Sequence, residues 1–314
     1  MNEFDLIKTF FNSSQLNFPS EFIDVSIGDD CAVLDVPADQ ELCISADTLI
    51  ENVHFPSGAN AYDIGTRSLC VTLSDLAAMG AKPIGFTLAI SLPSQIKENS
   101  EWLKNFSDGL AFIAQKYHCP LIGGDTTKSS LLTITIQVHG ITPKGKSLKR
   151  SGAQVGDLVC VSASRYRALG DAAGALPLVL ADPALNTGLA KTFWQPLPQI
   201  ELGVSLIEKA TSCLDVSDGL VQDLNHICSA SQVSMELDVK KIPLSEELLN
   251  RYSMEEALKF ALSGGDDYQL AFTVKDEKAV LEGAIQIGRV VQKSNEGVIL
   301  PNYERHDLTG FSHF

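Results

Sequence analysis

Five short segments of the chain share one grammar. Gly28-Asp29-Asp30, Ser45-Ala46-Asp47, Gly124-Asp125, Asp215-Val216-Ser217-Asp218-Gly219 and Gly265-Asp266-Asp267 each set one or two acids against glycine or serine beside an apolar run. Asp supplies short, hard oxygen ligands, and glycine lets the backbone come close to a ligand. Asp75 joins the set. It falls near the end of an expected helix, where the dipole favours cations, so a positive charge should compensate it. Hard oxygen donors without clustered Cys and His suit Mg²⁺ better than Zn²⁺. Mg²⁺ held by a few carboxylates keeps its other positions for water and substrate phosphates. If the acids meet, they point to a nucleotide polyphosphate bound through several Mg²⁺ ions. Any one segment alone reads as a turn with a solvated Asp.

Other chemistry is thinner. Gly140-Ile141-Thr142-Pro143-Lys144-Gly145-Lys146-Ser147 fits the pattern GxxxxGK[ST] and follows an expected strand. The phosphate-cradling helix should come next, yet Leu148-Lys149-Arg150-Ser151-Gly152 is too short and too soon broken, so we set the match aside. His54 reads equally as a core histidine or a substrate contact; with no second His nearby, metal ligation is not expected. No Gly-x-Ser-x-Gly elbow is present. Cys31 sits beside two acids, which blunt it as a nucleophile.

The elements that must position these residues follow from periodicity. Helices are expected over Phe4 to Phe11, Ala61 to Met79, Glu98 to Tyr117, Pro183 to Lys191, Gln199 to Ala210 and Leu220 to Ser229. Strands are expected at Cys31 to Val36, from Leu42 to a stop at Ser45, and at Ile84 to Leu92, Leu121-Ile122, Leu131 to Ile141, Asp157 to Val161 and Gln269 to Val274. The basic, turn-rich stretch Thr142 to Ser151 marks a boundary, giving domains 1–142 and 143–314. The first half, with β-branched strands between two long helices, suits a ferredoxin-like α+β sandwich.

The 314 residues are long for one core and comfortable for two domains. A formal charge of −15, from 39 acids against 24 bases, argues against nucleic acid and anionic membrane as partners. No apolar run reaches about 18 residues, so no membrane span is expected. The seven cysteines form no CxxC pair and read as reduced core residues. Met1-Asn2-Glu3-Phe4-Asp5 lacks the pattern of a signal peptide, and a cytoplasmic protein is expected.

These segments also carry a resemblance. IGDDCAVLDV, SADTLIENVHF, LSDLAAMGAKP, LIGGDTTKS, SGAQVGDLVCVS, LDVSDGL and LSGGDDYQLAFTV, in this order and spacing, resemble the thiamine-monophosphate kinase family. That family lies in the fold group of aminoimidazole ribonucleotide synthetase. The resemblance implies an N-terminal α+β domain that forms a homodimer and a C-terminal α/β domain. It implies transfer of the ATP γ-phosphoryl group to thiamine monophosphate, giving thiamine diphosphate and ADP. It puts Mg²⁺ ligands at Asp30, Ser45, Ala46, Asp47, Asp75, Asp125, Asp215 and Asp218, with Asp47, Asp125 and Asp218 central to catalysis and K⁺ as a candidate accessory ion. Nucleotide contacts fall at Phe106, Gly124, Asp125, Arg150 and Ser217, and substrate contacts at His54, Asp266 and Phe311.

Three positions depart from the family pattern. Ala46 stands where Thr is usual, so only a backbone carbonyl could bind metal there. Asp266 stands for Glu, and Ser164 to Leu169 is longer and more basic than the family's loop. The rivals are a sister ATP-dependent synthetase of the same fold group and a non-catalytic metal and nucleotide binder. Selenophosphate synthetase should carry a reactive Cys in a glycine-rich N-terminal segment, and the hydrogenase maturation enzyme should end in Cys; this chain does neither.

Overall fold

A computed structural model describes residues 3–164, 167–301 and 303. The chain divides into two compact units. The first comprises Met1–Leu76, Ala81–Gly145 and Val179–Asn186; the second comprises Ala77–Gly80, Lys146–Leu178 and Thr187–Phe314.

In the first unit, α1 (Glu3–Leu6) runs into a π-turn over Ile7–Phe11, and β1 (Ile23–Val25) pairs antiparallel with β2 (Val33–Leu34). There follow β3 (Gln40–Ile50), α2 (Ala61–Ala78), β4 (Lys82–Leu92), α3 (Ser94–Lys97), α4 (Ser100–Lys116), β5 (Leu121–Lys128) and β6 (Thr133–Pro143). The four long strands form one sheet in the order β3-β6-β4-β5. β4 and β5 are parallel, joined by the α3–α4 crossover, and β6 is antiparallel to both β3 and β4. The Asn99 side chain caps α4 by accepting from the Trp102 N–H. Alternation gives the sheet two unlike faces. Leu49, Phe86, Leu88, Ile90, Ile134, Ile136 and Val138 are buried on one. On the other, β3 presents Leu42 at 39% and Ile44 at 55% exposure, with Ala46 and Thr48 also exposed.

The second unit is built on a six-stranded sheet. Its elements are β7 (Leu158–Ser162), α5 (Asp171–Ala181), α6 (Ala190–Trp194), α7 (Ile200–Ser205), β8 (Ala210–Asp215), α8 (Leu220–Ser231), β9 (Ser234–Leu237), α9 (Glu246–Arg251), α10 (Met254–Ser263), β10 (Leu270–Val274), β11 (Ala284–Val291) and β12 (Val298–Ile299). The strand order is β12-β9-β11-β7-β10-β8, antiparallel except between β12 and β9. Every residue of β7 and β10 is buried, which explains why both read as continuous apolar runs without alternation. A capping box between Ser253 and Glu256 starts α10.

Several elements differ from the sequence expectation. β3 does not stop at Ser45; it runs through Asp47 to Ile50, because Ser45, Asp47 and Leu49 alternate onto the helix-covered face. β5 likewise continues through Gly123-Gly124-Asp125 to Lys128. The strand expected over Cys31 to Val36 shrinks to β2. Pro183 to Lys191 is not a helix: only α6, from Ala190, is helical there. The helix expected over Gln199 to Ala210 shortens to α7, since Ala210 already opens β8.

Candidate functional site

In the first unit, three of the expected ligands meet. Ser45 and Asp47 lie two apart on β3 and face α2. The Ser45 hydroxyl donates to the Asp75 carboxylate through a short hydrogen bond. Burial, reinforced by the negative charge of Asp75, pushes the Asp47 carboxyl up to about 6, and the neighbouring Thr72 hydroxyl opposes the shift only in part. Thr72 and Asp75 are three apart on α2 and so share a helix face. The described partners of Asp75 thus include a hydroxyl and a like-charged neighbour. Thr72 was not legible as a site residue; its spacing from Asp75 was the available signal.

Other residues of the first unit lie apart from this cluster. Ala46 alternates onto the opposite, exposed face, so its methyl points away and only its carbonyl can serve. Asp125 is on β5, the far edge strand: Asp47 aligns with Ile136, Leu88 and Gly124, and Asp125 sits in the adjoining row with Ala89. Three strand spacings, about 14 Å if the sheet were flat, separate β3 from β5. Gly124 has φ +157°, and a Cβ there would lie 1.9 Å from the Leu88 carbonyl oxygen, so only glycine fits against β4. Asp30 is exposed between β1 and β2, its N–H bonded to Asp29 Oδ1 at 2.9 Å. His54 closes the turn after β3: its Nδ1 accepts the Ile50 N–H at 3.0 Å, a structural role for that nitrogen.

Phe106 needs correction. It is fully buried, stacked on Trp102 at 5.2 Å between centroids and edge-on to Phe11 at 6.4 Å. It is a core ring and has no surface to offer a nucleotide. Phe311 lies outside the described residues.

In the second unit, β8 ends at Asp215, 6% exposed, and the chain turns through Val216-Ser217-Asp218-Gly219 into α8. The N–H groups of Ser217, Asp218 and Gly219 all donate to Asp223 Oδ2, at 3.0, 3.0 and 3.1 Å. Asp223 therefore shapes the loop that presents Asp218. Burial pushes the Asp223 carboxyl up to about 6, and these three donors oppose the shift only in part. Gln222 donates to Asp218 Oδ2 at 3.3 Å, and ligand atoms of Asp218, Asp223 and His226 lie within 4.8 Å of one another. Sequence reading passed over Asp223. Its signal was an acid four residues past a glycine that opens a helix. Arg150 is exposed, and its carbonyl accepts from the Ser231 hydroxyl at 3.3 Å. Asp266 lies in the loop before β10 and receives the Tyr268 hydroxyl at 3.1 Å. The GxxxxGK[ST] match is indeed no phosphate loop: Gly140–Pro143 belong to β6, and no helix follows Ser147.

Comparison with known proteins bears on both units. Residues 28–142 match the family model of the AIR synthase related protein, N-terminal domain, and residues 154–301 match that of the C-terminal domain. A thiamine-monophosphate kinase of Haemophilus influenzae is 43% identical over 281 residues, covering 88% of this chain and 83% of that protein. The chain belongs to the thiamine-monophosphate kinase family. A solved thiamine-monophosphate kinase from Stenotrophomonas maltophilia K279a superposes with a TM-score of 0.82 at 38% identity, covering 90% of this chain and 92% of that one. A structure described as AaThiL complexed with AMPPCP and TMP gives a TM-score of 0.79 at 29% identity, covering 94% and 93%.

Within this family frame, the donor set fits a divalent cation. Two carboxylates and a hydroxyl meet on one sheet face, and the carboxylates repel each other. Hard oxygens of this kind suit Mg²⁺, which would supply the positive charge that an acid near a helix C-terminus asks for. No helix among the described residues is long and apolar enough to cross a membrane.

Proposed function

We propose that this protein transfers the γ-phosphoryl group of ATP to thiamine monophosphate, releasing thiamine diphosphate and ADP. Family membership together with the Ser45–Asp47–Asp75 cluster carries this reading. The acceptor is a phosphate oxygen that is already anionic, so no general base has to remove a proton. Catalysis then rests on positioning and on neutralising charge. Mg²⁺, when bound, would supply positive charge to offset that of the phosphates. Ser45, Asp47 and Asp75 hold metal from the first unit, with Asp30, Asp125 and the Ala46 carbonyl as further ligands. Asp215 and Asp218 are the candidate metal ligands of the second unit. Gly124 and Ser217 approach the nucleotide, and Arg150, exposed and cationic, neutralises phosphate. His54, through the ring edge not bonded to Ile50, together with Asp266 and Phe311, contacts the organic substrate. K⁺ is an accessory ion of this reading, tested by its omission.

The working form is a homodimer in the cytoplasm. The exposed apolar side chains of Leu42 and Ile44 on β3 favour pairing of two copies through that sheet face. All seven cysteines are free, which suits a reducing compartment.

A phosphorus NMR assay with ATP, Mg²⁺ and a panel of phosphomonoesters tests the reading. ADP and a new diphosphate signal should grow together only with thiamine monophosphate present. ATP turnover with a different acceptor, or orthophosphate as the sole new product, would assign the chain to a sister synthetase activity. No turnover with any acceptor leaves a nucleotide binder.

A further inference from the structure

The loop between α10 and β10 is held in an unusual way. Asp266 and Tyr268 both have left-handed backbones, at φ 67° and 51°, a conformation uncommon outside glycine. Between them, Asp267 turns inward and is 6% exposed. Its two oxygens are taken by the start of α5: Gly170 N–H donates to Oδ2 at 2.7 Å and Ala172 N–H to Oδ1 at 3.3 Å. Asp171, the first residue of α5, is itself tied down by the Ala168 N–H and the Ser245 hydroxyl. The loop backbone is fastened on its other side to the turn that carries Asp218. Asp266 N–H donates to the Ser217 carbonyl and Tyr268 N–H to the Val216 carbonyl, each at 2.8 Å. A Cβ on Gly265 would lie 2.2 Å from the Ser217 oxygen, so the two loops touch backbone to backbone.

We propose that Asp267 is a positioning residue which, by clamping this loop to the N-terminus of α5, aims the hydrogen-bonded Asp266–Tyr268 pair at the cationic heterocycle of the organic substrate. This inference rests on the kinase reading above. Two strained residues persist only where their surroundings over-determine them, and the Asp267 clamp does so here. With the clamp in place, the Tyr268 hydroxyl fixes one oxygen of Asp266 at 3.1 Å. A carboxylate fixed in this way, beside a phenol oxygen, suits a ligand that brings positive charge and N–H donors. Asp at 266 is a methylene shorter than the Glu usual in the family, so a rotation of its carboxyl would lose the contact more readily. The Tyr268 bond removes that freedom. The clamp acts on the Asp266–Tyr268 pair, assigned above to the organic substrate, so its loss should be read in the binding of that substrate.

Steady-state kinetics of full-length Asp267→Asn and Tyr268→Phe decide it. An amide at 267 sets an NH₂ against one of the two N–H donors of α5, and KM for thiamine monophosphate should rise about ten-fold, with kcat and the KM for ATP within about three-fold of wild type. Tyr268→Phe leaves the buried clamp intact and should raise the same KM by about three-fold. A fall in kcat at unchanged KM, or equal changes in both KM values, would overturn the proposal. If Asp267→Asn does not fold, Tyr268→Phe decides alone: a raised KM supports the pair, a wild-type KM sinks it. Wild-type protein that makes no ADP with thiamine monophosphate defeats the kinase reading instead. Direct calorimetric binding of thiamine monophosphate to wild type and Tyr268→Phe then reads the pair by itself: weaker binding in the variant supports it, equal binding or none at all sinks it.

Discussion

Part-buried acids of the first unit and buried acids of the second are held in different ways. In the first unit, Asp47 and Asp75 face each other across a strand and a helix, with hydroxyls from Ser45 and Thr72 as described partners. In the second, three buried carboxylates are taken up by backbone donors: Asp223 by three N–H groups, Asp267 by two, and Asp171 by one together with a serine hydroxyl. Backbone N–H groups, fixed by the fold, satisfy a carboxylate without any ligand. Two repelling carboxylates steadied by hydroxyls are satisfied best by a cation. The pair in the first unit therefore suits metal, and Asp171, Asp223 and Asp267 of the second suit holding loops still.

Asp47→Asn should break the comparison most visibly. Turnover should fall by about a thousand-fold, because a neutral amide neither holds metal nor offsets its charge. The fold should survive, with the metal-free variant more thermostable than wild type at pH 7. Added Mg²⁺ should raise the melting temperature of wild type and leave the variant little changed. Turnover close to wild type at limiting Mg²⁺ would remove the metal role of this pair.

Asp223→Ala works the other way. It strands three N–H donors at the start of α8 and should destabilise the second unit by about 3 kcal/mol, read by calorimetry or hydrogen exchange at Ser217 to Gly219. Mg²⁺ should not rescue it. Stability equal to wild type in the metal-free variant would mean that the three N–H bonds do not hold this turn, and the contrast would dissolve.

The pH dependence sharpens the same contrast. Asp47 titrates near 6 in the fold, above its ordinary value of 3.8. The fold thus favours the neutral acid: the stabilisation is complete below about pH 4 and is lost as pH rises through about 6. Metal-free wild type should therefore lose about 2–3 kcal/mol relative to Asp47→Asn between pH 4 and pH 7. Parallel stability curves for the two proteins across this range would show that Asp47 is not held up by burial and Asp75.

A smaller effect on the fold, though a large one on assembly, is expected at the open face of the first unit's sheet. Ile44→Glu should shift the protein from dimer to monomer in sedimentation, while hardly changing secondary structure, because Ile44 is 55% exposed in the single chain. An unchanged dimer would send the search for the interface elsewhere.

How much of this could be read from the letters varies by residue. A two-domain plan was within reach from the length of the chain, and the place of Asp75 near a helix end marked it as an acid in want of positive charge. The strand limits were not. Ser45 and Gly124 read as strand ends because polar and small residues break an apolar run; in the fold they are interior positions, where alternation and a 1.9 Å constraint on a Cβ select them. Phe106 failed for a related reason: an aromatic one turn from another on a helix is as well suited to a core as to a nucleotide, and its burial among Trp102 and Phe11 is a tertiary fact. The role of Asp267 depends on backbone donors 97 and 95 residues away, which no local pattern displays, whereas Asp223 draws on the turn just before its own helix.

The smallest expected effect concerns the segment that looks most like a nucleotide motif. Lys146 and Ser147 occupy the lysine and serine places of GxxxxGK[ST], yet Gly145 turns the chain at φ +74° and no helix follows Ser147 to aim N–H groups at a phosphate. Lys146 instead forms an exposed ion pair with Glu208 at 2.9 Å, and that pair accounts for its raised pKa. Exposed pairs of this kind are screened by water and salt. Lys146→Ala and Ser147→Ala should therefore leave the KM for ATP within about two-fold of wild type, against the far larger loss at Asp47. A rise of about ten-fold or more in either variant would put a phosphate at this turn and make the acid pair of the first unit a secondary feature of nucleotide binding.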